Sequence, residues 1–250
     1  MINLQDKTTE DIRIACYMTD RHARLRPTAF LDIAQNIAVQ GADNLKFGDD
    51  QLAGYNSTWV LARQYVRFDR PVSNKEHIKM LTWHKGTQGL FFLRDYLLLG
   101  ADGEPSVRST SSWVVMNITE RRLVRFDSVS DVVDTAPQST DNAIEEQAAK
   151  VVLPRGAELT KIGEHRVQYS DVDHNQHANN VKYTSWVLDS LPEELVYEHP
   201  LKELTINFNR EALPGETVEL WHAQDADGAH IIEGRADDHQ VFIERLVFQL

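Results

Sequence analysis

Between Tyr169 and Trp186 (YSDVDHNQHANNVKYTSW), Asp171, Asp173, Asn175, His177, Asn179 and Asn180 fall within ten residues, directly ahead of a helical pattern. Each type suits one task at a carbonyl. Asn175 can donate two hydrogen bonds from its amide to a carbonyl or a developing oxyanion. His177 is the side chain best suited to pass a proton near neutral pH. Asp173, ionised, only accepts, so it can fix an amide or an imidazole tautomer. Backbone N–H groups around Ala178–Asn180 would open the helix and add its positive end. One oxyanion donor of this kind lowers the barrier by roughly 3–4 kcal/mol. A further carboxylate, Glu211, comes after an apolar strand and precedes the Pro214-Gly215 turn. Placed opposite His177, it would share a water with the imidazole for attack on an acyl carbon.

The same residues have plainer readings. Asp and Asn ahead of a helix are commonly caps and turn formers, which fits Asp171 and Asn179. A lone histidine is more often structural than catalytic, and Glu211 in a strand-end loop is solvated by default. Tyr183 and Trp186, at helical spacing, read as packing. Residue types alone therefore leave hydrolysis as one option.

What carries these side chains must come from the whole chain. Its 250 residues, 42% hydrophobic, suffice for one large core or two domain-sized ones. With 26 Lys+Arg against 38 Asp+Glu the net charge is −12, which argues against nucleic acid or an anionic membrane as partner. A single cysteine, Cys16, excludes an internal disulfide and suits a reducing compartment. No apolar run reaches the ~18 residues of a bilayer span, and MINLQDKTTED is too polar for a signal peptide. The expectation is a cytoplasmic protein without membrane insertion.

Ile12–Tyr17 reads as a strand, and Thr28–Leu45 as a long helix with Phe30, Ile33, Ala34, Ile37, Ala38 and Leu45 on one face. Trp59–Phe68, His77–Trp83, Gly89–Leu99 and Val107–Asn117 read as strands, with Asp102-Gly103 as a hairpin turn. Asp134–Arg155 is polar and suits a linker leading into a short exposed helix or coil. Then the order recurs. Glu164–Ser170 is strand-like, Ala178–Leu191 is a helix ended by Pro192, and Leu204–Phe208, Thr217–Ala223, His230–Arg235 and Val241–Gln249 are strands.

Local echoes support duplication. Phe68-Asp69-Arg70 and Phe208-Asn209-Arg210 are succeeded at one offset by Ile78-Lys79-Met80 and Val218-Glu219-Leu220. Tyr17-x-x-Asp20 echoes Tyr169-x-Asp171. A long apolar helix needs a bent antiparallel sheet to cover it. The reading is α+β, a double hotdog: residues 1–135 a first hotdog domain, 136–160 a linker, 161–250 a second hotdog domain holding the site.

DVDHNQHANNVKYTSWVLDSLPEE resembles the signature of the acyl-acyl carrier protein thioesterases, in which an Asp-x-Asn-x-His run precedes Val-Asn-Asn and a Tyr-x-x-Trp helix. Asp173, Asn175 and His177 fall on the run; Asn179, Asn180, Tyr183 and Trp186 fall on the Asn-Asn pair and the helix. Arg210-Glu211 matches the family's Arg-Glu pair. In the first half, Trp59-Val60-Leu61-Ala62-Arg63, Phe68-Asp69-Arg70-Pro71 and Ser112–Asn117 extend the resemblance. It implies hydrolysis of the thioester joining a fatty acyl chain to the phosphopantetheine arm of acyl carrier protein, with no cofactor and no metal. Asp173, Asn175, His177 and Glu211 would be the catalytic set. Ala212 stands where plant members often carry a cysteine, so a cysteine nucleophile there is impossible. The plastid transit segments of the plant enzymes are missing, which fits a bacterial-type cytoplasmic protein.

Aligning Asp20 with Asp171 sets Arg24 against Asn175 and Arg26 against His177, while aligning Phe68 with Phe208 sets Pro71 against Glu211. The expectation is one active site per chain, in the second half near the seam between domains, with the first half lining the acyl pocket. The acidic carrier would need a local basic patch: Arg21, Arg24 and Arg26; Arg63, Arg67 and Arg70; or Arg121, Arg122 and Arg125. A coenzyme A thioesterase, a hotdog hydratase or dehydratase, and a non-catalytic acyl-binding module are the alternatives. A monomer and a homodimer are both compatible, because the fused pair supplies the interface that single hotdogs obtain by dimerising.

Overall fold

The computed structural model describes residues 7–125, 128–129 and 138–249. Its contacts divide the chain into two units, Met1–Ala148 and Ala149–Leu250.

The first unit begins with β1 (Thr8–Arg13) and reaches its long helix α1 (Pro27–Asn44) through a 3₁₀ turn at Cys16–Met18. Pro27 opens α1 at a position where no N–H is needed. Ala29, Phe30, Ile33, Ala34, Ile37, Ala38 and Ala42 make its buried face. Phe30 is fully buried, which for a side chain of that size is worth about 1.5–3 kcal/mol. A short α2 (Asp49–Ala53) leads to β2 (Ser57–Phe68), β3 (His77–Gln88), β4 (Phe91–Leu99), β5 (Pro105–Asn117) and β6 (Arg122–Leu123). All pairings are antiparallel, in the order β1-β3-β4-β5-β2, with β6 on β5. Gly41 leaves room for the Arg94 side chain beside α1: a Cβ there would lie 2.5 Å from Arg94 Nη1. Gly103, at φ +80°, closes the β4–β5 hairpin, and Gly100 N–H bonds Glu104 O at 2.9 Å.

The second unit repeats the plan. After β7 (Thr160–Arg166) and a 3₁₀ turn at Tyr169–Asp171 come α3 (Asn180–Ser190) and α4 (Glu193–Glu198). Four strands complete it: β8 (Leu201–Phe208), β9 (Thr217–Gln224), β10 (His230–Ala236) and β11 (His239–Phe248). Their order is β7-β9-β10-β11-β8, the same as in the first unit. Val181, Tyr183, Thr184, Trp186 and Val187 are the buried residues of α3. Each unit is thus a hotdog, a helix laid along an antiparallel sheet. No helix among the described residues is long and apolar enough to cross a membrane.

Three expectations need correction. The strands expected at Ile12–Tyr17 and Glu164–Ser170 end earlier, at Arg13 and Arg166, because both segments leave the sheet through a 3₁₀ turn. In the second unit the Asp171 side chain drives that turn by accepting the Gln168 N–H at 2.8 Å. The polar segment expected at Asp134–Arg155, of which 134–137 lie outside the described residues, is coil but not uniformly exposed. Ala143 packs with Leu81, Trp83 and Leu97, its N–H bonds Asp95 Oδ2 at 2.7 Å, and Val151 packs with Ile231 and Ile243. The buried residues of this segment are Ala143, Ile144, Ala148 and Val151.

Candidate active site

The loop between β7 and α3 is built around two aspartates with different tasks. Asp171 anchors its entry. Its carboxylate accepts from the Gln168 N–H and from His165 Nε2, each at 2.8 Å, and the His165 ring stacks on Trp186 with centroids 4.4 Å apart. Burial alone would raise the carboxyl, but the hydrogen bonds from His165 and Gln168 outweigh it and hold Asp171 below the usual carboxylate range. Asp171 therefore acts as the turn former of the plainer reading.

Asp173 organises the next turn. Asp173 N–H bonds His177 O at 3.1 Å, and Gln176 N–H bonds Asp173 O at 3.0 Å. Gln176 carries φ +67°, a left-handed conformation uncommon for a residue with a side chain. The Asp173 carboxylate holds this conformation with both oxygens: Oδ1 takes the Asn175 N–H at 2.9 Å and Oδ2 the Asn179 amide at 3.2 Å. Asn179 in turn caps α3, its Oδ1 accepting the Val181 N–H at 2.9 Å.

The turn delivers His177 with a defined orientation. Its Nδ1 lies 3.1 Å from Ala178 O. A carbonyl only accepts, so Nδ1 carries a proton, and in the neutral ring the lone pair is on Nε2. Nε2 faces Glu211 Oε1 at 3.8 Å, with the two side chains 19% and 29% exposed. That gap exceeds a direct hydrogen bond and suits a shared water. Glu211 comes from the loop after β8 and is fixed through its neighbour. Ala212 O accepts the Ala178 N–H at 2.9 Å, and Ala212 N–H donates to Tyr183 Oη at 3.1 Å. The buried Tyr183 ring stacks on Phe242, centroids 5.0 Å apart. Burial, with the charges of Glu211 and Asp173 adding to it, pushes the Tyr183 phenol up to about 12.

Sequence reasoning gave Tyr183 a packing role only. The available signal was the phenol itself, since a buried Tyr hydroxyl normally finds a polar partner.

His177 and Glu211 thus meet, and Asp173 braces the loop that carries His177. Asn175 is different: its side chain is exposed, and among the described residues its amide has no partner. The expected free N–H groups at Ala178 and Asn179 are also occupied, by Ala212 O and Asp171 O, because the loop is stitched to its neighbours before the helix begins. Among the described residues no group of three or more His, Cys, Asp or Glu is placed to hold a metal ion.

The first unit contains the same turn in a different register from the one expected. Asp20 N–H bonds Arg24 O at 2.8 Å, His22 N–H bonds Asp20 Oδ1 at 2.8 Å, Ala23 has φ +58°, and Leu25 N–H bonds Val72 O at 2.8 Å. These bonds match Asp20 with Asp173, two residues along from Asp171. His22 then stands for Asn175, Arg24 for His177, and Pro71 for Glu211. The first unit keeps the aspartate and lacks the imidazole and the carboxylate. Arg24 ion-pairs with Asp20 at 2.9 Å instead.

Comparison with known proteins places these features. Residues 5–135 match the family model described as the acyl-ACP thioesterase N-terminal domain, and residues 156–244 match that of its C-terminal domain. The chain is 30% identical over 204 residues to the chloroplastic oleoyl-acyl carrier protein thioesterase 2 of Arabidopsis thaliana, covering 75% of this chain and 55% of that one. It is 26% identical over 232 residues to the oleoyl-acyl carrier protein thioesterase of Coriandrum sativum, covering 87% and 63%. It therefore spans only a little over half the length of these curated relatives. Among solved structures it resembles an acyl-ACP thioesterase from Bacteroides thetaiotaomicron (TM-score 0.88, 21% identity, 100% of both chains). It also resembles the 12:0-ACP thioesterase of Umbellularia californica (TM-score 0.86, 20% identity, 100% and 99%). At those identities the likeness is one of fold.

Proposed function

The chain belongs to the acyl-ACP thioesterase family, and we propose that it hydrolyses the thioester linking a fatty acyl group to the phosphopantetheine arm of acyl carrier protein. The observation that carries this reading is the pairing of His177 Nε2 with Glu211 Oε1 at 3.8 Å, with Nδ1 already committed to Ala178 O. A water between the two side chains gives up a proton to the imidazole as its oxygen attacks the acyl carbon. The carbonyl electrons move to oxygen, then return as the carbon–sulfur bond breaks. The imidazolium returns the proton to the departing thiolate, leaving fatty acid and carrier thiol. Asn175, exposed and with its amide unpaired among the described residues, supplies the donor that meets the thioester oxygen. Asp173 keeps the loop in register, and Glu211 orients the water and balances the imidazolium.

A carboxylate nucleophile is the second reading, favoured by the exposed part of Glu211. The Glu211 carboxylate would attack the acyl carbon and expel the carrier thiolate, which takes up a proton, leaving an anhydride between Glu211 and the acyl group that water then hydrolyses. Single turnover in ¹⁸O-water, with mass analysis of the peptide holding residue 211, separates the two. Label in the Glu211 carboxylate overturns direct attack. No thiol release from acyl-carrier substrates of any chain length overturns the hydrolase reading itself.

We place carrier docking at Arg121, Arg122 and Arg125, all exposed. Of the two competing clusters, one has Arg24 paired with Asp20, and the other has Arg67 paired with Asp69 and Arg70 with Glu76 and Asp102, which neutralises their charge locally. The cytoplasm is the compartment that suits the single cysteine.

A further inference from the structure

The helix-facing interior of the second unit holds a carboxyl group that the site does not use. Strand alternation sets Phe242, Glu244 and Leu246 of β11 on the face toward α3. There the Tyr183 ring stacks on Phe242, and Thr184 Oγ1 hydrogen-bonds Glu244 Oε1 at 2.9 Å. Glu244 is 0% exposed, and its Oε2 has no hydrogen-bond partner among the described residues. Directly opposite are Ile206 of β8 and Ile232 of β10. The titratable groups on this face are Tyr183 of α3, His165 of β7 (opposite Val218, and bonded to Asp171), His222 of β9 (opposite Ile232) and His230 of β10 (opposite Leu246). His222 and His230 bond each other at 3.0 Å, and burial holds both below their usual range. No charged side chain bears on Glu244 among the described residues, and burial pushes it up to about 8.

A carboxyl in such a place is tolerated while neutral; ionised, it needs partners or water that an apolar interior withholds. Thr184 adjoins Tyr183 on α3, and Tyr183 holds the Ala212 N–H beside Glu211. The seat of the helix on β11 is therefore linked to the spacing of the reacting pair by one helical residue and one backbone N–H.

We propose that Glu244 is a positioning residue for the His177–Glu211 pair: as a neutral acid it seats α3 on β11, and its ionisation unseats the helix and closes down the site at alkaline pH. The inference rests on the hydrolase reading above.

Two measurements on the full chain test it. In infrared difference titration without substrate, the wild type shows the carbonyl stretch of a protonated carboxylic acid that persists at neutral pH and disappears with a midpoint near 8; Glu244→Gln lacks that band. In thiol-release assays on acyl carrier substrate, wild-type kcat falls about tenfold per pH unit above that midpoint, as for a single ionisation, while KM changes little. Glu244→Gln retains the neutral-pH rate and loses the alkaline limb. Thr184→Val removes the hydroxyl that favours the charged form and moves the limb to higher pH. An unchanged limb in Glu244→Gln, or no titrating band that depends on Glu244, overturns the proposal whatever the activity. A chain that shows the band yet hydrolyses no acyl thioester fails the hydrolase reading, and the positioning role with it.

Discussion

Tyr183 Oη accepts the backbone N–H of Ala212 at 3.1 Å, so a helix residue holds the strand-end loop on which Glu211 sits. Replacing Tyr183 by Phe leaves that buried N–H without a partner, at a cost of about 1–3 kcal/mol. Equilibrium urea unfolding should show this loss. Because the Phe242 stack survives, the remaining folded protein should show a larger fall in kcat than rise in KM. A variant with wild-type stability and kcat would contradict the assignment.

His177→Asn and Glu211→Gln should each lower kcat by about 10²–10⁴-fold, the usual range for a positioned proton-transfer group. Both side chains are partly exposed, so the melting temperature should stay close to wild type. A fall in activity that merely tracks a fall in stability would remove the pair from the chemistry.

Docking at the exposed arginines predicts a difference between carriers. Arg122→Glu with Arg125→Glu should raise KM for acyl carrier protein substrates and leave the rate on the coenzyme A thioester of the same acyl chain unchanged. Salt should weaken the wild-type interaction, since exposed charges are screened within a Debye length of about 10 Å at 0.1 M. Equal effects on both substrates would point away from carrier contact.

Stability should depend on pH with a definite sign. The Glu244 carboxyl in the folded chain sits at about 8, above its ordinary 4.5, so the folded state binds its proton more tightly than the unfolded chain does. The contribution is complete below 4.5 and is lost as pH rises toward 8, by at most about 1.4 kcal/mol per unit. Asp171, held below its ordinary 3.8, acts oppositely and loses its contribution only on the acid side. Across this window the stability of Glu244→Gln should vary less with pH than that of the wild type, as read from denaturation curves. Parallel pH dependence in the two would show that Glu244 is not buried as a neutral acid.

Much of the fold was legible in the chain. The apolar face of α1 and the recurrence of strand, helix and strands both come from periodicity, because those patterns are local. The placement of Glu211 against His177 was legible too, because β8 ends where the helix begins. What was hidden depends on bonds between distant residues. The Tyr17 and Tyr169 echo suggested aligning Asp20 with Asp171, and only the matched turn bonds and the left-handed Ala23 and Gln176 moved the register by two. Ala143, Ile144, Ala148 and Val151 are buried from a coil segment, and their partners lie in distant strands that local composition does not mark. Asp173 was readable as an acceptor, yet nothing in its spacing says that both oxygens are engaged by the loop.

The aspartate turn occurs twice, once beside an imidazole and a carboxylate and once beside Arg24 and Pro71. In the first unit Asp20 folds the same turn with no imidazole at position 24 and no carboxylate at position 71. The scaffold and the chemistry are therefore separable: the turn is present in both units, while the side chains proposed to react differ at three matched positions, 22, 24 and 71. Writing asparagine at 22, histidine at 24 and glutamate at 71 would ask whether the first unit can be given the reaction proposed for the second.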